Sequence, residues 1–303
     1  MCCTLLVAVR PQDVSDWPVR GHEAGGRDRD KLWLADGEGP DAVAWLWKPR
    51  LTTGDGTVAR LSDVAEVVAT SLGQAMGMPV ATCFYAVRDG QPGVVSRNVA
   101  APSIEVHPAV VYLSELDGFV AASADPGGPK RDIGYTLDAV LELLTGVAPP
   151  PGSPADLTSG QVFAGYLVLD AVIANTDRHP RNWALMETEN GDRLLAAAFD
   201  HGSALGSGLS DENRRVTDVE TFCRRGRANA FTPREGLVDL AVRAVQAVDA
   251  HHWIDRVREI DASHVAQALE APPGRLSDRA ATFMRTVVMT NRRRVLDAHG
   301  DKN

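Results

Sequence analysis

An excess of positive charge is the first thing this sequence lacks. Its 303 residues carry 31 Lys and Arg against 40 Asp and Glu, a formal net charge of −9. Proteins that grip nucleic acid normally show a basic footprint, so direct nucleic-acid binding is not expected. Cysteine is scarce: Cys2, Cys3, Cys83 and Cys223 fall in no metal-ligand spacing, and the adjacent first pair cannot easily make ordinary disulfides to two partners. Reduced thiols in a cytoplasmic protein are the expectation. No run approaches the roughly 18 to 20 apolar residues that span a bilayer, so no membrane span is expected. The apolar stretch in MCCTLLVAVR has no basic region before it, too weak for a signal peptide, and reads as a short strand. Internal repeats and a long disordered tail are missing as well.

What is present, 44% hydrophobic and 23% charged residues, suffices for one large domain or two lobes with real cores. The first hundred residues read mainly as strands. KLWLAD (31–36) and AVAWLWK (42–48), joined by a turn-rich GEGP, fit a hairpin. LSDVAEVVATSLGQAMG (61–77) carries a helical apolar stripe ending at Gly77 and Pro79. VATCFYAV (80–87) and VVSRNV (94–99) return to strand around the turn RDGQPG. Thereafter the chain reads as helical with Pro-rich connectors, AAPSIEVHPAV and VAPPPGSPADL, around a short helix at 136–146. Thr158 and Gln161 form a capping-box signature for a helix running through QVFAGYLVLDAVIAN, apolar nearly all round and therefore buried. A polar loop (207–230) and three or four helices follow. The basic runs RRGR (224–227) and NRRR (291–294) read as solvated faces.

The chemistry concentrates in ANTDRHPRNWALMETENGDRLLAAAFDHGSALG (174–206). Asn190-Gly191 signals a hairpin, and a two-residue loop there would set Asn182 opposite Phe199, bringing Asn182 and Asp200 to one end of the ribbon. Strict alternation would then point residues 182 and 200 to opposite faces, so at least one must lie in irregular backbone. A carboxylate and a carboxamide suit magnesium, which takes few protein ligands and fills its octahedron with water and phosphate oxygens. Asp177, five residues before Asn182, is placed to orient a hydroxyl nucleophile. The order of Asp, four residues, Asn, hairpin and second Asp is the one phosphoryl transfer from ATP needs. Each fragment alone is an ordinary turn.

Kinase chemistry also asks for a phosphate-binding Lys on a strand and a helix carboxylate to position it. Lys48, leaving a strand with two tryptophans, and Glu66 on the next helix are the candidates; an edge-strand charge and a first-turn acid are the plain alternatives. His179 reads as a loop-shaping residue that hydrogen-bonds backbone. Arg178 reads as structural or as a phosphate contact. The Gly-rich turn GHEAGGRDRDKLWL (21–34) can cover phosphates with backbone N–H groups or serve as a surface loop.

On these residues the sequence resembles a known family. NTDRHPRNWAL followed by FDHGS is similar to the C-terminal catalytic region of the HipA-like kinases, and DRHPRN is also similar to the type II phosphatidylinositol 4-kinases. GGRDRDKLWL, WLWKP, GMPVA and VVSRNV follow the order of the HipA-like nucleotide-binding lobe. The resemblance covers most of residues 20–300, and it is specific only over 170–206. It implies an α+β, two-lobed protein-kinase-like fold, with a small β-rich N-lobe (1–98) and a larger, mainly helical C-lobe (99–303). It implies ATP with Mg2+ as cofactors and transfer to a Ser or Thr hydroxyl of a protein or peptide. Carried over, Asp177 is similar to the catalytic Asp in a loop over 175–182, and Asn182 and Asp200 to the metal ligands, the latter in a loop over 199–203. Lys48 is similar to the Lys on the ATP phosphates, and backbone near Ser96 to Asn98 to the hinge that receives adenine. A small-molecule or lipid kinase, or adenylylation with ATP reversed, is an alternative on the same residues; a nucleotide-binding pseudokinase is another, against which the intact Lys48, Asp177, Asn182 and Asp200 argue, because a scaffold needs none of them. The acidic pI disfavours a lipid surface.

Overall fold

The computed structural model describes residues 11–22, 31–39, 42–53, 58, 60–101, 103–125, 127–154, 156–270 and 276–300. Cys2 and Cys3, and most of the Gly-rich turn (23–30), lie outside the described residues.

Alternating apolar residues build the N-terminal sheet. Its strands are β1 (Gln12–Asp13), β2 (Val19–His22), β3 (Leu32–Ala35), β4 (Ala44–Pro49), β5 (Cys83–Arg88) and β6 (Gln91–Arg97), in the spatial order β1-β5-β6-β4-β3-β2. All neighbours run antiparallel except β1 and β5. Asp89 and Gly90, at φ +50° and +78°, make the two-residue turn between β5 and β6, tighter than the six-residue turn read from RDGQPG. Within β4, Trp45 and Trp47 pack with Val14, Leu34, Ala86 and Val95 on one face. Period two then sends Lys48 to the other face, toward α1 (Ser62–Ala75).

The rest of the chain is mainly helical. It comprises β7 (Glu105–Pro108), α2 (Ala109–Leu113), α3 (Leu137–Leu143), α4 (Ser159–Val172), β8 (Ala184–Glu187), β9 (Arg193–Leu195), α5 (Asp211–Val216), α6 (Val219–Arg225), α7 (Leu237–Ala247), α8 (His252–Glu259), α9 (Ala262–Leu269) and α10 (Asp278–Gly300). The predicted capping box on α4 is present, and the helix is buried along its length, packed by α7, α8 and α10. One large core runs from α1 into these helices, and α9 lies against α1, with the Tyr85 hydroxyl donating to the Ala268 carbonyl at 2.9 Å. Helix α1 therefore joins the two lobes rather than serving the sheet alone.

Several expectations are corrected. The connector over 100–110 contains β7, which pairs with β8 (His107 opposite Leu185) in a three-stranded sheet β7-β8-β9. The loop over 207–230 contains α5 and α6, capped by Ser210 and Asp218 accepting from Asn213 and Thr221 N–H groups. Helix α4 stops at Val172, not Asn175, because Ala174 turns left-handed at φ +53° while Asn175 N–H reaches the Asp170 carbonyl at 2.8 Å. The run NRRR is not a plain solvated face. Arg292 donates to the Val257 and Arg258 carbonyls and Arg294 to that of Cys223, closing the C-terminal ends of α8 and α6. Arg224, Arg225 and Arg227 are exposed as expected.

Candidate active site

Lys48 is where the two lobes meet chemically. Its Nζ donates to Glu66 Oε1 at 2.6 Å and to Asp200 Oδ1 at 3.0 Å, so β4, α1 and the loop after β9 converge on one ammonium. Burial works against that charge, but Asp200 and Glu66 outweigh it and hold the Lys48 pKa above its ordinary value. Lys48 in turn draws the Asp200 carboxyl well below the usual carboxylate range, against the effect of burial. The other Glu66 oxygen accepts the backbone N–H of His201 at 3.0 Å. One buried glutamate thus fixes both the lysine and the loop carrying Asp200.

The catalytic-type loop is built on the end of α4. Asp170, the lone acid of that helix, receives Arg178 Nε at 2.8 Å and Nη2 at 2.9 Å, and Asn175 Nδ2 at 2.7 Å. Arg178 also donates through Nη1 to the carbonyls of Asn182 (2.7 Å) and Phe199 (3.3 Å). Only 3% of its side chain is exposed, too little to approach a substrate phosphate. It ties the loop before β8 to the loop after β9, and so sets the separation of Asn182 and Asp200. Arg178 Nη2 lies 3.1 Å from His201 Nε2, which must accept, because a guanidinium can only donate. Burial, then Arg178, pushes the His201 pKa down to about 4, which keeps the ring neutral at pH 7 with its hydrogen on Nδ1. His179 shapes the loop as expected, its Nδ1 accepting from Arg181 N–H at 3.1 Å.

The hairpin register differs from the two-residue reading. Leu185 faces Leu195, and Gly191 at φ +80° closes a three-residue loop over 189–191. Asn182 therefore projects opposite Ala198 rather than Phe199. With residue 198 opposite residue 182, alternation puts positions 182 and 200 on one face, so the shifted register removes the expected need for irregular backbone; both residues nevertheless lie beyond the strand ends, Asp200 at φ +59°. Asn182 Nδ2 donates to the Asp177 carbonyl at 2.8 Å, which fixes the orientation of the amide and leaves Oδ1 as the side chain's acceptor oxygen.

These side chains line one cavity of about 510 Å³: Lys48 and Glu66 on one wall, Asp177, Asn182, Asp200 and Ser203 on the other. Lys31 and Arg60 line it too, and neither makes an ion pair among the described residues. One carboxylate, one carboxamide and several cations fit a magnesium-bound triphosphate, whose own oxygens complete the octahedron. Among the described residues no group of three or more His, Cys, Asp or Glu is arranged to hold a metal by itself. Ser96 and Asn98 do not line this cavity. Ser96 pairs with Leu46 and Cys83 inside the sheet, and Asn98 N–H is taken by the Ala44 carbonyl at 2.9 Å.

Sequence reasoning missed Asp170, Lys31, Arg60 and Ser203. The signal for Asp170 was a lone acid in an apolar helix. For Ser203 it was a hydroxyl three residues after Asp200; its Oγ donates to Asp177 Oδ2 at 3.2 Å.

The HipA-like C-terminal domain family matches residues 23–264. No curated protein matches the sequence significantly. Among solved structures, the Helicobacter pylori proinflammatory kinase CtkA is similar with a TM-score of 0.67 at 15% identity, over 96% of this chain and 98% of that one. HipA of Shewanella oneidensis MR-1, in a toxin–antitoxin complex with HipB and operator DNA, gives a TM-score of 0.47 at 11% identity, over 94% and 68%. At such identity the likeness to CtkA is one of fold, two-lobed and kinase-like.

Proposed function

This chain belongs to the HipA-like C-terminal domain family, and from that premise we propose that it is an ATP-dependent kinase transferring the γ-phosphoryl group to a Ser or Thr hydroxyl of a protein or peptide. The observation that carries the reading is Lys48 held between Glu66 and Asp200, in the cavity that Asp177 and Asn182 share. When bound, magnesium and ATP supply the neutralised, transferable phosphoryl group. Asp200 and the Asn182 carboxamide oxygen hold the metal; Lys48, with Lys31 and Arg60, meets phosphate oxygens. Asp177 orients the acceptor hydroxyl and takes its proton as the new bond forms. Arg178 and Asp170 position these groups without touching the reactants. The nucleotide lobe ends after Asn98, and the remaining chain presents the acceptor.

The test is phosphoryl transfer from labelled ATP to a mixed Ser/Thr peptide set, with Asp177→Asn as the control. Label on peptide hydroxyls that disappears in Asp177→Asn is expected. Label on adenylate rather than γ-phosphate, or full transfer by Asp177→Asn, would contradict the reading.

A further inference from the structure

A second groove, of about 520 Å³, lies on the helical part, with Ala174, Thr176, Val216, Asp218, Phe222 and Arg225 among its lining. Ala174 and Thr176 belong to the segment that leads into Asp177, so the groove begins one residue from the carboxylate that faces the nucleotide cavity. Its sides are held in place. Asn229 N–H donates to the Thr176 carbonyl at 3.3 Å, and Arg294 Nη1 donates to the Cys223 carbonyl at 2.8 Å, anchoring α6 to α10.

The acids near this groove are already engaged. Glu220 is paired with Arg293 at 2.6 Å, and Asp218 caps α6 by accepting the Thr221 N–H at 2.8 Å. The cations are not. Exposed Arg225 makes no side-chain hydrogen bond or ion pair among the described residues, and its exposed neighbours Arg224 and Arg227 make no ion pair there either. Arg227 instead curls onto the Arg224 carbonyl at 3.1 Å, which keeps the three charges together. The C-terminal end of a helix favours cations, which accounts for Arg224 and Arg225 on α6. It does not account for Arg227 beyond the helix, nor for Arg225 lining a groove. In a chain of net charge −9 this is a local reversal of sign. Val216, 65% exposed, and Phe222 add apolar surface, which suits the mixed side chains of a peptide better than a run of nucleic-acid phosphates.

Resting on the kinase reading above, we propose that this groove docks the acceptor segment of the protein substrate and selects segments with Asp or Glu within a few residues of the acceptor Ser or Thr. An extended chain advances about 3.3–3.6 Å per residue, so a segment with its hydroxyl at Asp177 runs into the groove within that span. Its carboxylates meet the guanidinium forks of Arg225 and Arg224, and an apolar side chain packs on Val216 and Phe222. An exposed pair is worth at most about fivefold, so the selection is the sum of several and weakens with salt.

Ser peptides of one length, flanked by Glu, Ala or Lys, are labelled from ATP by the full-length protein at low and high salt. The Glu set is expected to exceed the Ala set several-fold in kcat/KM, with the Lys set lowest, the difference lying in KM and shrinking in salt. Arg224→Glu with Arg225→Glu should reverse that order, whereas Arg225→Lys should keep it. A binding readout stands beside transfer: by fluorescence anisotropy, the Glu peptide with Ala in place of its Ser should bind wild type several-fold tighter than the doubly reversed variant. Equal labelling of the three sets by wild type, or a Glu preference that survives the reversal, overturns this inference and leaves the kinase reading standing. A single-stranded oligonucleotide that binds in preference to the Glu peptide also overturns it. Peptide binding that depends on Arg224 and Arg225, in protein that transfers no phosphate, supports the acidic partner and overturns the kinase reading.

Discussion

Asp177 and Arg178 are neighbours in sequence, yet Asp177 borders the cavity while Arg178 is sealed against Asp170. The difference sets two separate predictions. Asp177→Asn keeps the shape and removes the proton acceptor, so transfer should fall about 10²–10⁴-fold with nucleotide affinity nearly unchanged; steady-state kinetics beside calorimetry checks it. Arg178→Met leaves the buried Asp170 carboxylate without its partner and should cost about 3–5 kcal/mol of stability, read by urea unfolding. Because the pair is one unit, Asp170→Leu combined with Arg178→Met should lose less than the sum of the single losses. At this scale the meeting of Lys48, Asp177, Asn182 and Asp200 in one cavity was legible, because their order and spacing repeat a chemical demand. Arg178 was not, since nothing in an Asp-Arg-His stretch says which distant carbonyls the guanidinium will join. The expected adenine contacts at Ser96 and Asn98 rested on resemblance; Ser96 lies within the β6 ladder and the Asn98 N–H is taken by the Ala44 carbonyl.

Among the elements, α4 sets the position of the site. Its start was legible, since Thr158 and Gln161 satisfy each other's orphan donors, and its burial followed from an apolar surface on all sides. Its end was not, because Ala174 takes a left-handed turn that glycine normally supplies, stabilised by the Asp170 carbonyl and carboxylate. The helix also needs Gly165: a methyl group there would fall 2.6 Å from Trp253 Cε2, a ring that cannot swing aside in a packed core. Gly165→Ala should therefore destabilise the protein by about 1–3 kcal/mol despite alanine's better helix propensity, a sign that thermal unfolding reads directly. The hairpin existed where Asn190-Gly191 predicted it, but the loop took three residues and moved the register by one. Strand β7 and helices α5 and α6 escaped notice because each is short, polar or bracketed by proline. Each forms through caps and long-range pairing rather than its own periodicity.

Across the whole molecule, the account depends on one cation, Lys48, bridging a sheet, a helix shared by both lobes, and a loop of the helical part. A sheet-rich first hundred residues and a mainly helical remainder were legible from the hydrophobic patterns along the chain, whereas the α+β two-lobed class was what the resemblance implied. The joining role of α1 was not, since which neighbour covers a helix face is decided by tertiary packing. A ligand seated across these three elements binds the native state alone, so magnesium with ATP at 100 times its dissociation constant should add about 2.7 kcal/mol of stability. ATP without magnesium should add much less, a difference visible in melting temperature. The most direct test of the central claim is calorimetric titration of ATP into wild type with and without magnesium, and into Asp200→Ala. The account predicts binding that requires both the metal and Asp200. No binding at millimolar nucleotide, or equal binding by Asp200→Ala with magnesium present, would contradict it.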